Sequence, residues 1–337
     1  MNPSTATHRC EIQSHLFPEG IPRLWCPTLT HFHAAREPDA ARIRAHLATL
    51  APFVRGILVP GSTGEGWEMS DEDIRGVLSV VLDAAAELGL RALIGILKTS
   101  TAEVLQGMDT MEEFQNHAAF AGFTICPAKG GGLEQGAMRD GLAQVLARKQ
   151  PTALYQLPQV TQNEMSAATV ASLAEEFPNF ILFKDTSGAD RVAQSGVELG
   201  GVFLVRGAEA GGYASWPKVG RGPYDGFLLS TANVFAPHLA EMLRLLDGGE
   251  SAAAQALSAK LQDTVSAAFA IVADFPHGNA FANANKVLDH CLAYGEAAVR
   301  TEPPLLYSGA RLPAEFIEKA TALLRARDWL PARGYMA

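Results

Sequence analysis

The pattern that most constrains this chain is an eightfold alternation of short apolar runs with longer stretches of helical spacing. The runs cover residues 23–29, 56–60, 91–96, 122–126, 152–156, 180–184, 202–206 and 226–229. One of them, the four-residue apolar stretch Phe180-Ile181-Leu182-Phe183, is followed by turn residues and reads as a buried strand. Between them, segments such as 71–88, 101–121, 135–149, 167–177 and 189–199 are rich in Ala, Leu and Glu at helical spacing. Two of these segments open with cap chemistry: Ser70 precedes Asp71, Glu72 and Asp73, and Ser166 stands just before another. Strands joined by helical crossovers form parallel sheet, and eight such units predict an α/β fold, a closed (β/α)8 TIM barrel. A doubly wound open sheet is the competing arrangement. It wants a glycine-rich phosphate turn after its first strand, and Pro27-Thr28-Leu29-Thr30 is not one.

About a hundred residues follow the eighth run, with helical spacing over 237–247, 251–273, 279–294 and 313–327. They are too long for one barrel helix. The expected organisation is therefore a loose N-terminal extension over 1–20, a barrel over 21–235, and a C-terminal helical appendage over 236–337. The formal net charge of −9 argues against nucleic acid or an anionic membrane surface as partner. No stretch approaches the roughly 18 uninterrupted apolar residues of a transmembrane helix, and residues 1–20 hold no apolar signal core. The four cysteines, Cys10, Cys26, Cys126 and Cys291, are scattered and form no CxxC pair. Reduced thiols in a cytoplasm, with no metal site, are the expectation.

In a barrel of this kind, function gathers where the strands end. Lys184 ends the run Phe180-Ile181-Leu182-Phe183 and leads into Asp185-Thr186-Ser187-Gly188. Burial there disfavours the ammonium form, and a neutral amine adds to keto groups to give a Schiff base; the competing reading is a lysine that snorkels into water. After the second run, Gly61-Ser62-Thr63-Gly64-Glu65-Gly66 offers a turn whose N–H groups suit a small carboxylate. After the fifth, Tyr155 stands in Tyr155-Gln156-Leu157-Pro158. Its hydroxyl is either a proton shuttle or a satisfied core group. Gly207 and Glu209 follow the seventh run. One chemistry uses all of these groups: lysine addition to a 2-oxo acid, with the loop holding the carboxylate and the tyrosine moving protons.

The three segments Gly61-Ser62-Thr63-Gly64-Glu65, Tyr155-Gln156-Leu157-Pro158 and Phe183-Lys184-Asp185-Thr186-Ser187-Gly188 resemble, in order and spacing, the motifs of the dihydrodipicolinate synthase / N-acetylneuraminate lyase superfamily. Fainter echoes lie in 226–234, in Asn285-Lys286 and in Pro303-Pro304-Leu305. The resemblance implies that Lys184 forms the Schiff base and that Tyr155 is the general acid/base. Gly61, Ser62 and Thr63 would bind the pyruvyl carboxylate, and Ser62 would join the proton relay. Thr186 and Gly207 would line the pocket, and Leu228 would offer a backbone carbonyl. It further implies a homotetramer or homodimer and no metal or organic cofactor.

Departures bear on the substrate. The synthases carry paired tyrosines after the fourth strand; here the segment reads Pro127-Ala128-Lys129-Gly130-Gly131-Gly132. They also carry an arginine two residues after the proline of the tyrosine motif, where this chain has Val160, and Gln162 replaces a glycine usual among relatives. Lys129 is either a substitute anion binder or a solvated loop residue. His277 and Asn279 either reach the mouth or open a helix. The expected activity is a class I lyase acting on pyruvate or a 2-oxo acid, by aldol cleavage/condensation or dehydration of a 2-keto-3-deoxy-type acid. Genuine dihydrodipicolinate synthase and a non-catalytic keto-acid-binding barrel are the alternatives.

Overall fold

A computed structural model describes residues 3–337. Eight strands close a parallel barrel in sequential order: β1 (Leu24–Pro27), β2 (Gly56–Val59), β3 (Arg91–Ile96), β4 (Phe120–Ile125), β5 (Thr152–Gln156), β6 (Phe180–Asp185), β7 (Phe203–Arg206) and β8 (Gly226–Leu228). β1 pairs with both β2 and β8, which completes the closure. All eight sequence runs are strands, and the (β/α)8 fold is as expected. The crossover helices are α2 (Ala40–Leu50), α3 (Asp71–Glu87), α4 (Thr101–Thr110), α5 (Gln135–Leu146), the short α6 (Pro158–Thr161), α7 (Ala167–Glu176) and α8 (Arg191–Gln194). The cap residues act as their chemistry demands: Ser70 Oγ accepts from Asp73 N–H at 3.2 Å, and Ser166 Oγ from Thr169 N–H at 3.1 Å.

Two helices are shorter than their spacing predicts. The 101–121 segment leaves the α-helix at Thr110, passes through a 3₁₀ turn and enters β4 at Phe120. Only Arg191–Gln194 of 189–199 is helical. In both places the strand partner decides, since each chain end must reach its place in the closed ladder.

Bulges set which side chains face inward. Strict alternation from Phe180, which packs outward against the helices, would turn Lys184 outward as well. Between Thr152 and Ala153 the register with β6 jumps from Phe180 to Leu182, so Ile181 is an inserted residue. Phe180 and Phe183 therefore both join the outer core, and Lys184 turns inward. β4 repeats the device at Ala121, where the register jumps from Phe120 to Gly122. Gly122 has φ +135°, and a Cβ there would lie 2.4 Å from Pro151 O.

The N-terminal residues are not a loose extension. Helix α1 (Pro3–Leu16) lies under the barrel, and its end supplies Leu16 and Phe17 to an interior layer with Trp25, Leu58, Leu93, Leu182 and Leu228. Arg9 is fully buried there. Its guanidinium donates to the carbonyls of Phe180 (2.7 Å), Phe177 (2.9 Å), Gly200 and Ala174. Gln13 bridges Ile181 O and Gly201 O. Polar residues at the start of a chain suggest solvent, but here they donate to buried carbonyls at the barrel floor. Beyond β8, α9 (Ala232–Asp247), α10 (Ser251–Val272), α11 (Ala280–Tyr294) and α12 (Ala314–Ala326) form the C-terminal helical region. No described helix is long and apolar enough to cross a membrane.

Arg9→Met would remove the guanidinium donors from the carbonyls of Ala174, Phe180 and Gly200, and should lower the free energy of unfolding by about 3 kcal/mol. Urea denaturation measures this. A change below about 0.5 kcal/mol would mean that α1 is an ornament of the barrel rather than its floor.

Candidate active site

Lys184 and Tyr155 are register partners on adjacent strands, and both are buried at the top of the barrel interior. The Lys184 ammonium lies 4.0 Å from the centroid of the Tyr155 ring. Burial lowers the Lys184 pKa to about 7, and Glu209 opposes that shift. Burial also pushes the thiols of Cys26 and Cys126 up, so they stay protonated and give the lysine no counter-charge. Tyr155 is shifted up by its own burial and keeps its proton near neutrality. Its hydroxyl approaches Ser62 Oγ at 3.5 Å, a contact longer than a formed O–H···O bond. Trp67 Nε1 donates to the same Oγ at 2.9 Å. That leaves the Ser62 proton free to point at the tyrosine.

The loop after β2 is held by its own backbone: Gly64 and Gly66 N–H donate to Gly61 O, and Glu65 N–H to Ser62 O. Among the described residues, the N–H groups of Ser62 and Thr63 take no partner. Thr63 is buried, and Glu65 has φ +62°. The Glu65 carboxylate is buried in an ion pair with Lys286 of α11 and accepts from Tyr307 N–H at 2.9 Å. Lys286 also donates to Leu305 O at 2.8 Å. The faint sequence echoes around 285–286 and 303–305 are thus the struts that fix this loop. Asn279 serves two purposes: its Oδ1 caps α11 through Ala282 N–H, and its Nδ2 donates to Ser62 O at 3.0 Å. The two readings of this residue were not exclusive.

On the other side of Lys184, Gly207 leaves room that no side chain could. A Cβ there would stand 2.3 Å from Thr186 Oγ1 and 2.8 Å from Lys184 Cε. The Thr186 hydroxyl is buried with no formed hydrogen bond. Leu228 ends β8 in the interior layer. Glu209 is gripped by Ser230 Oγ (2.6 Å), Thr231 Oγ1 (2.8 Å) and Tyr213 OH (3.1 Å), so its charge is fixed in place. Behind β6, the buried pair of Arg206 and Asp190 (2.8 Å), joined by Tyr224, supports Asp185 and the 207–210 turn.

A cavity of about 260 Å³ opens beside Ser62, walled by Trp67, Leu157, Val160, Ala280 and Phe281, with Glu68, Gln159 and Asn279 at its edges. The sequence motifs did not single out Trp67, Glu68, Gln159 or Phe281. Trp67 and Glu68 directly follow the glycine-rich turn and could have been noticed, but Phe281 comes from the appendage. Lys129 is exposed and does not line this cavity. His277 is exposed and packs on Phe275. Gln162 sits at φ +63°, which explains why glycine suits that place. Asn163 ties the 127–132 loop down through the carbonyls of Ala128 and Gly130.

Among the described residues, His31, His46 and Asp289 lie within metal-ligating reach of one another. Arg42 (2.6 Å), His46 (3.0 Å) and Tyr335 (2.8 Å) already occupy the Asp289 carboxylate. A guanidinium in that position disfavours a cation, so the cluster reads as a structural ion network.

Comparison with known proteins agrees with the geometry. The model of the dihydrodipicolinate synthetase family matches residues 23–276. The 4-hydroxy-tetrahydrodipicolinate synthase of Rhizobium meliloti (strain 1021) is 26% identical over 196 residues, which cover 58% of this chain and 64% of that protein. The synthase of Symbiobacterium thermophilum is 25% identical over 238 residues, 69% of this chain and 76% of that one. The match therefore spans somewhat under two thirds of the first relative's length. YagE, a prophage protein of E. coli K12 belonging to the dihydrodipicolinic acid synthase family and crystallised with pyruvate, superposes with a TM-score of 0.74. It shares 18% identity, with 92% of this chain and 99% of YagE covered. The lysine-bound synthase of Cyanidioschyzon merolae gives a TM-score of 0.70 at 20% identity, covering 91% and 98%. Structural likeness at such identities speaks for the fold, whereas the family match rests on the sequence over three quarters of the chain. This chain belongs to the dihydrodipicolinate synthetase family.

Proposed function

We propose that the protein is a class I lyase in which Lys184 forms a Schiff base with pyruvate or a related 2-oxo acid. It then makes or breaks the bond to the β-carbon of a 2-keto-3-deoxy-type acid. The observation that carries this reading is the Lys184 amine, shifted to about 7 by burial and set against the Tyr155 ring beneath a loop with two unengaged N–H groups. The neutral amine adds to the keto carbon to give a carbinolamine, and water leaves as the imine forms. Tyr155, with Ser62 behind it, delivers the proton that the departing hydroxyl needs. The iminium then accepts the electron pair of a breaking C–C bond, or it releases a β-proton to give an enamine, which either attacks an aldehyde carbon or expels a neighbouring hydroxyl that leaves, protonated, as water. Lysine itself is the electron sink, so the scheme calls on no metal or organic cofactor. The N–H groups of Ser62 and Thr63 would hold the carboxylate, and Gly207 and Thr186 would border the keto-acid pocket.

The names of the relatives favour a second reading, that of the synthase itself. Val160 in place of an arginine and the absence of tyrosine from 127–132 weigh against it, because in the synthases the arginine binds the carboxylate of aspartate semialdehyde and one of the tyrosines completes a relay across a subunit interface.

Pyruvate and borohydride should add one pyruvyl mass per chain on the peptide containing Lys184, and Lys184→Ala should abolish it. Protonation removes the nucleophile, so the trapping rate should rise roughly tenfold from pH 6 to pH 8 and then level off, following a pKa near 7. A rate that keeps climbing towards pH 10 would mean an unshifted amine. Label on another lysine would end the mechanism.

Tyr155→Phe removes one hydroxyl from a packed ring. It should preserve the fold, measured by circular dichroism, while turnover falls by roughly 10²–10⁴. Near-normal turnover would remove Tyr155 from the proton path.

Gly207→Ala places a methyl group against Lys184 Cε and Thr186 Oγ1. Displacing the amine by even 1 Å should slow imine formation by about a hundredfold. Stopped-flow trapping reads the rate, and an unchanged one would show that the lysine does not need this space.

A further inference from the structure

The cavity beside Ser62 bears on the second substrate, which the Schiff-base reading leaves open. It adjoins the reacting centre, since Ser62 lines it and also touches Tyr155. Its walls are two aromatic rings, Trp67 and Phe281, and two aliphatic side chains, Leu157 and Val160. At about 260 Å³ it is larger than the roughly 150 Å³ apolar cavity that accepts benzene in another protein.

Its polar edge is mostly committed already. The Asn279 amide holds Ser62 O and the end of α11, Gln159 Nε2 donates to Thr186 O at 3.1 Å, and Trp67 Nε1 is bound to Ser62. Among the described residues, no cationic side chain lines the cavity. Glu68 is the one carboxyl there, and burial together with nearby Glu65 holds it above the usual carboxylate range. When ionised it repels an anionic partner; when protonated it still offers no cation. A sugar-like acceptor would surrender its hydration to walls that return few hydrogen bonds.

Resting on the Schiff-base reading, we infer that this cavity is the acceptor subsite and that it takes an uncharged aldehyde with an apolar, ring-sized body. The enamine carbon of the Lys184–pyruvate adduct attacks the aldehyde carbon and forms the new C–C bond. The proton released from the pyruvate methyl group is balanced by the one delivered to the aldehyde oxygen. Water then adds to the imine, freeing a 4-hydroxy-2-oxo acid and the amine. No oxidant or reductant is needed.

The test compares kcat/KM for pyruvate with benzaldehyde, aspartate semialdehyde and glyceraldehyde, alongside borohydride labelling of the same preparation. Benzaldehyde should exceed each of the others by about tenfold or more. Val160→Arg should reverse its order with aspartate semialdehyde. Should that variant unfold, Phe281→Ala should raise the benzaldehyde KM about tenfold. Labelled Lys184 with no benzaldehyde turnover, or with preference for either polar aldehyde, overturns the subsite assignment alone. Absence of label overturns the Schiff-base reading beneath it.

Discussion

Everything in this site depends on keeping one ammonium group out of water. Lys184 is the penultimate residue of a strand paired on both sides, and the closed barrel leaves its side chain no route to solvent except the mouth. Desolvation therefore works against the charged form, and the amine approaches neutrality at ordinary pH. The surroundings are arranged so that this shift survives. The nearby thiols are themselves buried and uncharged, and the Tyr155 face supplies only a ring quadrupole. Glu209 is the carboxylate that opposes the shift, and donors from Ser230, Thr231 and Tyr213 hold both of its oxygens in place; burial of the amine outweighs it.

Two buried ion pairs hold the walls of this space. Glu65 with Lys286 fixes the glycine-rich turn to α11, and Asp190 with Arg206 supports the turn that carries Gly207. Buried pairs of this kind add little net stability, because desolvation of both charges offsets their attraction. Their value is geometric: each has further partners, Tyr307 and Leu305 O in one case and Tyr224 and backbone carbonyls in the other. Removing one partner would strand a charge in the core, so each loop is held in a single arrangement. The C-terminal helical region is consequently part of the wall of the candidate site rather than an attachment to the barrel.

The apolar cavity beside Ser62 follows from the same architecture. Residues from the β2 loop, the β5 loop and the start of α11 meet there, and each contributes mostly carbon. On the Schiff-base reading, such a meeting point is where substrate choice can vary without moving Lys184 or Tyr155.

What the sequence determined by itself was the ladder and the groups that stand along its top edge. Eight apolar runs, the turn residues that end them, and the order of the glycine-rich turn, Tyr155 and Lys184 are local properties, legible because strand burial and turn formation leave short-range signatures. Local signals could not show which way Lys184 faces. Its inward direction depends on a bulge at Ile181, which arises from pairing with β5 and leaves no mark in the composition of Phe180-Ile181-Leu182-Phe183. The polar segment at the start of the chain looked loose because Arg9 and Gln13 have no partners near them in sequence. Their acceptors lie more than 160 residues away, and only closure of the barrel gathers those carbonyls into one floor. The same holds for Phe281 and Asn279, more than 200 residues from the turn at Ser62. Contacts of that range are decided when the helical region docks on the barrel, because burial and hydrogen-bond satisfaction are properties of the assembled fold rather than of any segment.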